Sequence, residues 1–133
     1  MTKKLELYRC SVCENLVEVL SCGNGELVCC GKPMELINTN ESDLKELNDK
    51  HVPLIEKNIE GFTIRVGATV HPMTNEHHID FIQAISKDFK YVKTKFLSVE
   101  EAPELNIKCK CDNSVWARAL CNIHGLFKKE FDE

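Results

Sequence analysis

Cysteine and histidine are the side chains in this sequence whose types and spacing could do chemistry. Cys10 and Cys13 form a C-x-x-C pair in "YRCSVC", and Cys29 and Cys30 stand side by side in "LVCCGKP". Two thiol pairs brought together make a tetrahedral site of four sulfurs, which suits zinc or a single iron, and spacing alone favours zinc. Near the end of the chain "CNIHGL" sets Cys121 three positions before His124. The other histidines, His51, His71, His77 and His78, also fall beside turn-forming residues. Imidazoles with one thiolate form a borderline-soft donor set for iron, copper or zinc, so these residues point to a second, mixed site without choosing its metal.

The adjacent pair Cys29 and Cys30 constrains the backbone. Neighbouring side chains of a strand point to opposite faces, so two consecutive ligands for one ion require the chain to leave the strand there. Gly31 and Pro33 supply the residues for that departure. Cys22, in "LSCGNGE", reads as a bystander thiol. Cys109 and Cys111 alternate with lysines on the face of Leu105 and Ile107 and read as core thiols. Trp116 reads as a core or interface residue.

The elements that must position these groups follow from pattern and composition. The chain has 133 residues, a formal net charge of −4 and eight cysteines. That charge offers no basic footprint for nucleic acid. "MTKKLELYRC" lacks the apolar run of an export signal, and nowhere do 18 apolar residues follow one another. The expectation is a soluble cytoplasmic protein with no membrane partner, in which thiols bind metal in preference to forming disulfides.

Residues 1–37 read as a small module with too little apolar material to fold unaided. "NLVEVLSCGNGELVCCGKPM" reads as strand, Gly-Asn-Gly turn, strand and Gly/Pro turn, so a hairpin across that turn is expected to carry Cys29 and Cys30 back to the C-x-x-C pair. A polar, turn-rich linker spans 38–45. Beyond it, 46–133 reads as a β-sandwich. A short helical turn capped by Ser42 or Asp43 should end at Pro53. "EGFTIRVGATV" alternates, with Phe62, Ile64, Val66, Ala68 and Val70 on one face. "HIDFIQAI" is ambiguous between strand and helix. "FKYVKTKFL", "ELNIKCKC" and "SVWARALC" read as further strands.

Five segments, "YRCSVCENLVEVL", "LVCCGKPM", "DKHVPLIE", "VHPMTNEHHIDFI" and "LCNIHGLF", resemble in order and spacing the desulfoferrodoxins, the two-iron superoxide reductases. The resemblance spans nearly the whole chain. It implies a mainly β fold, a desulforedoxin-like module followed by an immunoglobulin-like sandwich. It further implies two mononuclear non-haem irons. The first would be held by Cys10, Cys13, Cys29 and Cys30, against the spacing-based preference for zinc. The second would be held by His51, His71, His77 and His124 with Cys121 axial, leaving one coordination position vacant. His78, adjacent to His77, is the rival for its place.

By the same resemblance the chain reduces superoxide to hydrogen peroxide without releasing oxygen. Rubredoxin is the implied electron donor and a homodimer the implied assembly. Lys50 corresponds to the family's lysine beside the open site. Asp49 stands where the family usually has a glutamate that binds the ferric ion, and it is one methylene shorter. Phe81 and Phe127 stand where tryptophan is common. The rival readings are a non-catalytic iron electron carrier and a zinc-binding structural or metal-delivery protein.

Overall fold

The computed structural model describes residues 1–40, 45–68, 71–108 and 115–131. The chain forms two compact units, Met1–Asn38 and Thr39–Glu133. Both are built almost wholly of strands, with one short helix among the described residues. That helix is far too short to cross a membrane.

In the first unit β1 (Leu7–Arg9) lies between β2 (Leu16–Glu18) and β5 (Glu35–Leu36), antiparallel to both. Between them in sequence, β3 (Val28–Cys29) and β4 (Lys32–Pro33) make a separate two-stranded hairpin. The unit's buried apolar side chains are Leu5, Leu7 and Val19 with Cys10, whereas Leu20 and Val28 are exposed. So little core cannot offset the entropy of ordering the chain. The hairpin expected across the Gly-Asn-Gly turn does not form. β2 pairs with β1 because the C-x-x-C turn joins them directly, and β3 pairs with β4. Pro33 also differs from expectation, lying within β4; its missing N–H is tolerated in so short a ladder at an edge.

The second unit begins with α1 (Lys45–His51) and continues through β6 (Pro53–Lys57), β7 (Gly61–Val66), β8 (Ile79–Ser86), β9 (Val92–Phe96), β10 (Glu104–Lys108), β11 (Val115–Cys121) and β12 (Gly125–Glu130). Two antiparallel sheets result, in the orders β10-β7-β6 and β12-β11-β8-β9. The core between them comprises Phe62, Ile64 and Val66 of one sheet, with Ile82, Ala84, Ala117 and Ala119 among those of the other. α1 ends where expected, since Pro53 disfavours helical geometry at Val52. Its expected caps, Ser42 and Asp43, lie outside the described residues, as do Cys109 and Cys111.

Three differences from the sequence reading have physical reasons. β7 stops at Val66 because Gly67 takes a φ of 83°; Ala68 is consequently exposed, and Val70 lies outside the described residues. The ambiguous "HIDFIQAI" is β8, a strand buried on both faces, which removes the alternation that would have marked it. β6 and β12 were not anticipated. One opens on a proline, and the other ends in the charged run Lys128–Glu130.

Candidate metal centres

The first cluster is assembled by two tight turns. After β1, the N–H groups of Val12 and Cys13 both donate to Cys10 Sγ at 3.4 Å. At the other side Cys30 and Gly31 join β3 to β4 with φ of 53° and 73°, the sign that a type I′ hairpin turn requires at both central positions. Gly31 adopts this freely, whereas Cys30 does so at a cost of about 1 kcal/mol. The left-handed residue is what lets consecutive cysteines face one point. All four sulfurs lie within 4.8 Å of one another, with Cys13 Sγ to Cys29 Sγ at 3.5 Å and Cys29 Sγ to Cys30 Sγ at 4.0 Å. Bonds of about 2.3 Å to a tetrahedral ion would separate sulfurs by about 3.8 Å, so the cluster fits one ion.

Ionisation of these thiols is uneven. The backbone N–H groups of Cys13 and Val12 pull the Cys10 thiol down to about 6. Hydrogen bonding with Cys13 raises the Cys29 thiol and, with Cys29 and Cys10 contributing, pushes Cys30 up to about 12. Four thiolates this close require a cation to coexist. Cys22 is exposed and outside the cluster.

The second cluster lies within Thr39–Glu133, and its donors come from separate elements. His51 is the last residue of α1, His71 and His77 lie in the loop between β7 and β8, Cys121 ends β11, and His124 sits in the turn to β12. His51 is fixed from two sides: its Nδ1 meets Leu47 O at 2.7 Å, and its ring stacks on Phe127 with centroids 4.6 Å apart. His71 Nδ1 meets Pro72 O at 2.7 Å. Since carbonyls only accept, both rings carry their proton on Nδ1 and turn a bare Nε2 inward.

The four rings form a closed circuit, His51–His71–His77–His124, with neighbouring centroids 4.5, 4.5, 5.1 and 4.7 Å apart and steeply inclined planes. The diagonal from His51 to His77 is 5.9 Å. This is a square of imidazoles around a common point. His51, His71, His77 and Cys121 place donor atoms within 4.8 Å of one another. His124 joins through Nδ1, 3.1 Å from His51 Nε2 and 3.7 Å from Cys121 Sγ. Donors on opposite sides of one ion stand up to about 4.6 Å apart, so the set matches a single metal.

A further sign is that His71 Nε2 and His77 Nε2 are buried with no hydrogen-bond partner. Buried polar atoms are almost always satisfied, and a metal ion would satisfy both. Burial holds His51 and His77 below the ordinary imidazole range and brings His71 to about 4, so these three rings are neutral lone-pair donors at pH 7. Burial pushes the Cys121 thiol up, while N–H groups of His124 and Ile123 act in the opposite sense.

His78 is excluded by its own bonds. Its Nδ1 meets Thr74 O at 2.9 Å and its Nε2 pairs with Asp80 at 2.8 Å. Lys50 is exposed near the end of α1, close enough for its charge to add to the lowering of both His51 and His77. Asp49 is half-buried, and its carboxylate is not among the clustered donors. Phe81 and Trp116 are buried, the latter with Lys128 Nζ 4.6 Å from its ring centroid.

A family model described as desulfoferrodoxin matches residues 43–130, and one for the desulfoferrodoxin N-terminal domain matches residues 2–37. The chain belongs to the desulfoferrodoxin family. It is 43% identical over 130 residues to a desulfoferrodoxin of Nitratidesulfovibrio vulgaris, covering 98% of this chain and 99% of that protein. A superoxide reductase of Pyrococcus furiosus is 30% identical over 107 residues, covering 62% of this chain and 86% of that one. In fold, the chain is similar to the crystal structure of the superoxide reductase from Treponema pallidum, with a TM-score of 0.73 at 22% identity over 97% of this chain and 99% of that one. The four-cysteine set and the mixed histidine and cysteine set match the two iron centres of desulfoferrodoxins, which overturns the preference for zinc drawn from spacing.

Two residues near the second centre escaped the sequence reading. Asn40, assigned there to the linker, pairs with β12 through its N–H to Leu126 O and donates from Nδ2 to His124 O at 2.9 Å. Asn122, inside the quoted "CNIHGL", bonds to both residues flanking His77. Its position between two candidate ligands was the available signal.

Proposed function

We propose that the protein is a superoxide reductase, combining superoxide with one electron and two protons to give hydrogen peroxide without releasing oxygen. The observation that carries this reading is the square of imidazoles beside a buried thiol, with two buried Nε2 atoms left for a metal. The kinship to a protein named superoxide reductase supports it. Ferrous iron bound by His51, His71, His77, His124 and Cys121 would supply the electron, and a reductant would restore it.

The residues of the chain do the rest. Cys121, buried and receiving the His124 N–H at 3.4 Å, holds a sulfur donor away from water. His51 and His71 are each 1% exposed, whereas His77 and His124 are half-buried, so approach from solvent is from the latter side. The Lys50 ammonium, exposed and near enough to add to the lowering of His51 and His77, would attract an anion toward the site and hand on a proton from Nζ. Asp49, in the same last turn of α1, would have to move to cap an oxidised metal. In this reading the protein acts in the cytoplasm as a homodimer, detoxifying superoxide with electrons from a carrier such as rubredoxin.

The test is to reduce the iron-loaded protein, expose it to pulse-generated superoxide, and follow oxidation, peroxide and oxygen together. One peroxide per superoxide with no oxygen is expected, and Cys121→Ser should lose at least about a hundredfold in rate, as for a group acting directly on the reacting centre. Oxidation no faster than the uncatalysed reaction would leave a mere electron carrier. Oxygen release would indicate dismutation instead.

A further inference from the structure

His51 and His71 are each aimed at the second centre by a hydrogen bond from Nδ1 to a backbone carbonyl. His77 has no such partner on Nδ1 among the described residues, although its Nε2 is buried in the same cluster. Something other than its own ring must set its direction.

The segment around His77 offers two devices. Thr74 closes a turn onto it: Thr74 N–H donates to His77 O at 2.9 Å, and His77 N–H donates to Thr74 Oγ1 at 3.1 Å. This shapes the turn but does not say where the turn stands. The second device is Asn122. The β8–β11 ladder slips register between Leu120 and Cys121, a bulge that would leave the next residues unpaired. Beyond the slip Asn122 N–H donates to His78 O at 3.0 Å, and Asn122 Oδ1 accepts from His78 N–H at 2.8 Å. Asn122 Nδ2 in turn donates to Glu76 O at 3.0 Å. The side-chain amide thus acts as an added peptide unit, gripping the residue on each side of His77 from the turn that carries Cys121 and His124.

We propose that Asn122 is a positioning residue that registers His77 against Cys121 and His124, replacing the ring hydrogen bond that His77 lacks. This rests on the reading of the four histidines and Cys121 as iron ligands. Only an amide fits the role, because one oxygen must accept while one nitrogen donates; aspartate keeps the acceptor and loses the donor. Outer contacts that orient ligands change metal affinity by about 10–100-fold when removed. Asn122 is exposed, so water replaces its bonds on truncation and the sandwich itself keeps its stability.

The experiment compares iron-loaded wild type, Asn122→Ala and Asn122→Asp by chelator-driven iron loss, electron paramagnetic resonance of the mixed centre in its ferric state, and thermal unfolding. Asn122→Ala is expected to release iron from that centre about tenfold faster. Its ferric signal should change in anisotropy, while the absorption of the four-cysteine centre and the unfolding temperature stay near wild type. Asn122→Asp should fall between the two. Wild-type release and signal in Asn122→Ala would overturn the proposal. So would a lowered unfolding temperature with both of those unchanged, since that marks a purely structural role. A wild-type protein with no ferric signal from the mixed centre would instead sink the ligand reading on which the proposal stands.

Discussion

The two clusters solve one problem, gathering soft donors around an ion, by opposite routes. The sulfurs of the four-cysteine set come from positions 10 to 30 and are held by a turn with N–H groups aimed at Cys10 and by a left-handed residue at Cys30. Cys13 and Cys30 remain exposed, and the unit around them buries few apolar side chains. The donors of the mixed set come from positions 51 to 124, and His51, His71 and Cys121 are almost wholly buried, with Cys121 part of the sandwich core and His51 stacked on Phe127 of β12. In the first unit the metal makes the fold possible, whereas in the second the fold makes the metal site possible.

Stripping both metals should break that contrast open most visibly. Structural metals contribute on the order of 10 kcal/mol to small modules, so Met1–Asn38 is expected to unfold while Thr39–Glu133 keeps a cooperative transition. Amide hydrogen exchange reads the two units separately. Retained protection across β1 and β2 in the metal-free chain would show that the small unit folds on its own.

Acidification sharpens the comparison within the metal-free sandwich. The His71 pKa of about 4 lies below the ordinary 6.5, so the unfolded chain takes up the proton first. The associated stability is complete above about pH 6.5 and is lost as pH falls toward 4, a change of about 3 kcal/mol. Urea unfolding of the metal-free protein at pH 7 and pH 4.5 measures it, and His71→Asn should flatten the part of the slope that His71 contributes beside His51 and His77. Equal slopes with and without the histidine would remove burial of His71 as the cause.

The smallest expected effect is on substrate capture. Lys50→Ala should slow superoxide-dependent oxidation about tenfold at low ionic strength, with the difference shrinking as salt screens the ammonium. Iron content and the ferric absorption should be unchanged. A rate equal to wild type at low salt would relieve Lys50 of any part in attracting the anion.

Legibility differed between elements for reasons of side-chain environment. The alternation of Phe62, Ile64 and Val66 marked β7 because Arg65, between two of them, faces solvent. β8 gave no such signal, since Phe81, Ile82, Gln83, Ala84 and Ile85 are all buried. The expected hairpin across Gly-Asn-Gly failed because strand pairing is a competition, and the short C-x-x-C connection brings β1 and β2 together at less entropic cost. His78 looked as eligible as His77 in the sequence. Asp80 and Thr74 decide between them by occupying both ring nitrogens of His78.

Donor chemistry is a property of residue types, so the sequence by itself determined that thiols and imidazoles were present in two sets and that a small cysteine-rich block would need a metal. Short-range spacing determined the two turns of the four-cysteine set, because their geometry depends on a few successive dihedrals. The square of rings was decided only in three dimensions. Its sides join a helix end, a loop and a turn far apart in the chain, and their convergence depends on sheet register, on the bulge at Cys121, and on bonds such as those of Asn40 and Asn122.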